Sequence, residues 1–98
     1  MKAVELLRQQ IPIAEGAFAS VVIWQVPRPV PPCTHSFKYR LAYVVNEVCV
    51  LRYDNEHGKG DHRHWGDAET PYVFAGLDGL LSDFHADIAR WNDENRDF

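Results

Sequence analysis

A chain of 98 residues, 46% hydrophobic and 12% aromatic, suits one globular domain with one core and excludes disorder. The formal net charge of −4 argues against wholesale nucleic-acid binding, and no apolar run approaches the ~18 residues of a membrane span. The charge is uneven: residues 1–66 carry eight Lys/Arg against six Asp/Glu, whereas residues 67–98 carry two against eight, which leaves room for a local phosphate-binding patch in the first part.

The opening MKAVELLRQQ is broken by Glu5 and Arg8 before any signal-like core develops, so a cytoplasmic location is expected. Cys33 and Cys49 fit two free thiols in a reducing compartment. Residues 3–13 admit a helix, since Ala3 to Gln10 are good helix formers, but a strand that folds back about Glu15-Gly16 is preferred because it sets Leu7, Ile11 and Ile13 opposite Trp24, Ser20 and Phe18. Pro12 then requires a sheet edge. Residues 17–26, β-branched and aromatic, predict a second strand. Four prolines in PRPVPP (27–32) break it with a stiff connection.

Residues 35–45 alternate, with Phe37, Tyr39, Leu41, Tyr43 and Val45 on one side and Lys38 and Arg40 on the other. A turn at Asn46-Glu47 returns the chain as a strand over 48–54, although Glu suits the second turn position poorly. That pairing sets Tyr39 opposite Asp54, Arg40 opposite Tyr53 and Leu41 opposite Arg52. Residues 70–75 predict a short edge strand beginning near Pro71. Leu77, Leu80, Leu81, Phe84, Ile88 and Trp91 recur at helical spacing and predict a helix over 77–91, with Gly76 as N-cap and a frayed tail over 92–98. The fold class expected is α+β: a twisted antiparallel sheet of four or five strands with one C-terminal helix on a face. Exposed edges on a small core predict a homodimer.

Between the last two strands lies the densest chemistry, RYDNEHGKGDHRHWGD (52–67), read as a loop carried by the sheet. His57, His62 and His64 are three of the five histidines. Arg52, Tyr53, Asp54, Asn55, Lys59, Asp61 and Arg63 are interleaved with them. Two imidazoles can share acid and base roles on a phosphodiester. Lys59, Arg52 and Arg63 can offset charge on phosphorus, with Tyr53, Asn55 and His57 as further substrate contacts. RNA would supply its own nucleophile, the 2′-hydroxyl. His62 and His64 are the catalytic candidates, with Asp54 or Asp61 to orient an imidazole. No cofactor is required. If a metal is present, Asp61, His62 and His64 are its expected ligands. Trp65 can stack a base or plug the sheet edge. A solvated polar loop held by Arg–Asp and His–Asp bonds remains the alternative. Gly58-Lys59-Gly60 lacks the spacing of a nucleotide-binding P-loop, and His85 reads as a helix-boundary residue.

The succession AFASVVIWQVP, FKYRLAYVVNEVCVLRYDNEHGKGDHRHWGD, PYVF and a leucine-rich helix resembles the TumE-type family of small bacterial toxin–antitoxin proteins. The likeness covers roughly residues 3–90, and its most distinctive piece is RYDN (52–55) before the histidine-rich stretch. Matching positions are Arg52, Tyr53, Asp54, Asn55, Lys59, Asp61, His62 and His64. Asn46-Glu47 departs from the glycine-containing turn expected there. The resemblance implies a toxin encoded beside a small helix-turn-helix antitoxin. On the residues, that toxin reads as ribonuclease-like, with a non-catalytic nucleic-acid- or protein-binding module and a metal-dependent nuclease or hydrolase as alternatives.

Overall fold

The computed structural model describes residues 2–95. Six strands form one antiparallel meander in sequence order: β1 (Val4–Ala14), β2 (Ala17–Gln25), β3 (Phe37–Val45), β4 (Val48–Glu56), β5 (Gly60–Trp65) and β6 (Ala68–Pro71). The helix α1 (Leu77–Glu94) closes the chain. The class is α+β as expected, but the strand count is six and not four or five. The additional strand is β5. Its sequence GDHRHW carries polar side chains on both faces, so no apolar alternation marks it. Of the expected loop, His57 to Lys59 alone form the β4–β5 turn.

The last strand begins and ends earlier than expected. Gly66, at φ 59°, turns the chain so that Trp65 pairs with Ala68, and residues 72–76 leave the sheet. The helix extends past the expected end. Asn92 Oδ1 accepts the Tyr43 hydroxyl at 2.6 Å, and Arg90 pairs with Glu94 at 3.0 Å, which holds residues 92–94 in the last turn. The rest of the expected frayed tail, residues 96–98, lies outside the described residues.

Both hairpins turn where expected, yet each register differs by one residue from the simple pairing. Leu7 faces Ile23 and Ile11 faces Ala19, with irregularities between Glu5 and Leu7 and between Pro12 and Ala14. Arg40 faces Asp54 and Leu41 faces Tyr53, past an irregularity between Tyr43 and Val44. Each bulge inserts one unpaired residue, and a one-residue slip sends the following side chains to the opposite face. The inward residues of β2 are Ala17, Ala19, Val21 and Ile23, paired with the inward Val45, Tyr43, Leu41 and Tyr39 of β3, and not the alternate set with Phe18 and Trp24. Pro12 and Pro71 lie on the edge strands β1 and β6, where a missing N–H donor leaves no gap in the ladder.

One face of the sheet carries Tyr39, Leu41, Tyr43, Leu51 and Tyr53, and against it α1 buries Leu80, Phe84 and Ile88. Gly76 caps the helix and Asp78 lies in its first turn, favourable to the dipole. Among the described residues no helix covers the other face, and no helix is long and apolar enough to cross a membrane. Cys33 and Cys49 are free thiols.

Candidate functional site

Strand alternation divides the polar cluster between the two faces. Towards α1 go Tyr53, Asn55, Asp61, Arg63 and Trp65; away from it go Arg52, Asp54, His62 and His64. His57 and Lys59 stay exposed in the turn.

On the helix side the polar groups are tied into the fold. Arg63 Nε donates to Asp87 Oδ2 at 2.6 Å, the Tyr53 hydroxyl donates to the same oxygen at 2.6 Å, and Arg63 Nε also lies 3.1 Å from the Tyr53 hydroxyl. Burial, and then the neighbouring Asp87, drive the Tyr53 phenol upward. The Trp65 ring has the guanidinium carbons of Arg63 and Arg90 at 5.3 and 4.3 Å from its centroid; its cation–π partners come from the protein itself. Asn55 is fully buried; its Oδ1 accepts the Tyr39 amide at 2.9 Å and its Nδ2 donates to the Phe37 carbonyl at 2.6 Å. Asp61 accepts the Tyr39 hydroxyl at 2.5 Å, His35 Nε2–H at 2.8 Å and the Cys33 thiol at 3.4 Å. Burial, and then Asp61, raise the Cys33 thiol pKa.

The open face is different. Pairing across the strands places Val22, Arg40, Asp54, His62 and Pro71 in one transverse row. Ser20, Ala42, Arg52, His64 and Glu69 form the next. Arg52 Nη2 donates to His64 Nε2 at 2.9 Å, and Arg52 Nε lies 3.1 Å from Asp54 Oδ2. His62 Nε2 is in direct contact with Asp54 Oδ1, while His62 Nδ1 donates to the Gly60 carbonyl at 2.9 Å. Glu69 Oε1 stands 3.8 Å from His62 Nε2 and 4.0 Å from His64 Nε2. Burial, and then the charge of Arg52, pull His64 below the ordinary imidazole pKa, so its neutral form is favoured. Beside this group a concavity of ≈ 320 Å³ is lined by Val22, Trp24, Lys38, Arg40, Arg52 and Asp54 among others.

Among the described residues two sets of side chains could hold a metal: Asp54, His62 and His64 on the open face, and Cys33, His35 and Asp61 under the proline loop. The expected grouping of Asp61 with His62 and His64 is not formed, because odd and even positions of β5 face opposite ways; Asp54, across the ladder from His62, stands in its place. The contributions of Cys33, His35, Arg40 and Glu69 were not legible in sequence. Cys33 and His35 reach Asp61 only because the proline loop folds onto the β4–β5 hairpin, where the Gly58 amide donates to the Pro31 carbonyl at 2.8 Å. The pairing of Arg40 with Asp54 depends on the bulge in β4.

A family model described as Toxin TumE matches residues 4–92. No curated protein and no solved structure matches the chain. The family model spans all six strands and nearly the whole of α1, so the likeness covers the complete fold and both polar groups, and the chain belongs to the TumE toxin family, with an antitoxin as its implied partner.

Proposed function

We propose that this toxin cleaves RNA on the open face of its sheet. The observation that carries the reading is the convergence of Asp54, His62, His64 and Arg52 in two adjacent rows, beside the concavity that Arg40 and Lys38 line. Arg40 is exposed and forms no ion pair among the described residues, so its guanidinium is available to an anion. Arg52 and Arg40 hold the phosphate and offset the charge that builds on its oxygens, with Lys59 at the rim. The 2′-oxygen of the ribose attacks the adjacent phosphorus and the bond to the 5′-oxygen breaks. The net transfer is one proton from the first oxygen to the second, and the products are a cyclic phosphate and a 5′-hydroxyl. Asp54, His62 and His64 are the groups that face these reacting oxygens. Asp61 and Arg63 act on the other side of the sheet, through His35 and Asp87 respectively. The antitoxin is proposed to be a small helix-turn-helix protein.

Induced expression is expected to arrest growth and deplete RNA, with relief on co-expression of the adjacent antitoxin. Purified toxin is expected to leave cyclic-phosphate and 5′-hydroxyl ends. If His62→Ala combined with His64→Ala leaves both arrest and RNA decay intact, the nuclease reading fails. Arrest with intact RNA would instead mark a binding toxin that blocks its target without breaking a bond.

A further inference from the structure

We infer that Asp54, His62 and His64 together hold one first-row divalent cation, for which Zn²⁺ is the probe. A carbonyl oxygen can only accept, so the bond from His62 Nδ1 to Gly60 O places the ring proton of the neutral imidazole on Nδ1. The lone pair of Nε2 then faces Asp54 Oδ1. The His62 side chain is 5% exposed and that of Asp54 12%, and neither of the two facing atoms completes a hydrogen bond. A buried carboxylate oxygen in contact with an imidazole nitrogen calls for positive charge there, which either a second ring proton or a cation supplies, and titration with Zn²⁺ separates the two. His64 Nε2 can supply a second lone pair once Arg52 Nη2, which donates to it at 2.9 Å, turns away. Arginine can only donate, so the atom that accepts from Arg52, His64 Nε2, is unprotonated.

Ligand atoms of the three residues lie within 4.8 Å of one another. Glu69 at the rim, with Oε1 3.8 and 4.0 Å from the two imidazole nitrogens, can supply a further oxygen. The Gly60 carbonyl is the outer partner that a metal-binding histidine commonly uses to fix its tautomer. Two imidazole nitrogens with one or two carboxylates favour Zn²⁺ and its neighbours over Mg²⁺ or Ca²⁺, which take oxygen ligands. Three firm ligands leave a position open to solvent or phosphate. The Cys33–His35–Asp61 set lacks this property. His35 Nδ1 accepts the Phe37 amide at 3.2 Å, so Nε2 carries the proton it gives to Asp61 and has no lone pair to offer.

The catalytic part of this inference rests on the nuclease reading: the cation would polarise a phosphoryl oxygen held by Arg52 and Arg40. Occupancy does not depend on that reading. Full-length protein purified without a histidine tag and stripped with chelator is titrated with Zn²⁺ by calorimetry, and its metal content is measured after dialysis. One equivalent is expected, with the melting temperature raised by roughly 10–20 °C at a hundredfold excess over the dissociation constant. Asp54→Asn and His62→Ala are each expected to weaken binding by at least about tenfold, whereas His57→Ala leaves it unchanged. Should the buried variants fail to fold, the wild-type Co²⁺ spectrum decides. Ligand-field bands without a thiolate charge-transfer band support the site, and a thiolate band overturns it by placing the ion at Cys33. Failure to bind Zn²⁺, or binding indifferent to Asp54→Asn and His62→Ala in folded protein, also overturns it. Cleavage that persists in metal-free protein removes the metal and leaves the nuclease standing; one bound equivalent with no cleavage of any RNA leaves the metal and removes the nuclease.

Discussion

Arg52 and Arg63 sit eleven positions apart in the same polar stretch, yet they have opposite assignments. Arg63 is held by Asp87 and Tyr53 on the helix side, and its Nε–Asp87 contact joins side chains that are 25% and 14% exposed. Its loss strips a partly buried carboxylate of its charged donor. Arg63→Ala is expected to lower stability by about 2 kcal/mol, read by urea denaturation, with RNA cleavage within about twofold of wild type. Arg52→Ala is expected to do the reverse. It should cost cleavage on the order of a hundredfold, because its guanidinium joins Asp54 to His64 on the open face. Equal losses of activity in the two variants would contradict the division of the cluster between faces.

At the scale of elements, the turns and bulges decide where these side chains go. Asn46 and Glu47 both have positive φ, at 49° and 69°, the mirror-image turn that matches strand twist in a two-residue hairpin. Asn tolerates that region and Glu pays for its Cβ. Glu47→Gly is therefore expected to stabilise the fold by about 1 kcal/mol, a rise of roughly 4–8 °C in melting temperature for a domain of this size, without changing activity. Gly16, at φ 74°, packs against this turn: a Cβ there would lie 2.6 Å from Asn46 Oδ1, so two successive hairpin ends are nested and share their sequence constraints. The turn itself was readable from NE between alternating runs, and the helix from its leucine spacing. The bulges were not, because the residue left unpaired, as at Val50 between Cys49 and Leu51, is as apolar as its neighbours.

At the scale of the molecule, α1 and the sheet form two layers, and among the described residues no helix covers the other face of the sheet. Among the described residues the apolar cover comes chiefly from α1, whose Leu80 and Phe84 are fully buried, with Tyr72 and Phe74 packing beside it. A core this small leaves little margin. Phe84→Ala should cost about 3–5 kcal/mol, which approaches the lower range of stability for a small domain. The measurement is thermal or urea unfolding, and the expected outcome is a protein largely unfolded at 37 °C. A fully cooperative transition with near-native midpoint would mean that the helix is not what closes the core.

Composition, alternation and helical spacing were enough to read an antiparallel sheet with a C-terminal helix, both edge prolines, and a concentration of imidazoles and guanidinium groups near the fourth strand. They also carried the family resemblance, which the family match over residues 4–92 bears out. Only the tertiary structure decided which of those groups meet. Neighbours such as Asp61 and His62 are parted because consecutive strand residues face opposite ways. Asp54 and His62, eight positions apart, are brought together by the β4–β5 ladder, whose register the short turn at His57 to Lys59 sets, while the bulge in β4 shifts the β3–β4 ladder and brings Arg40 opposite Asp54. Pairing register is a property of two strands at once, so no pattern along either one determines it.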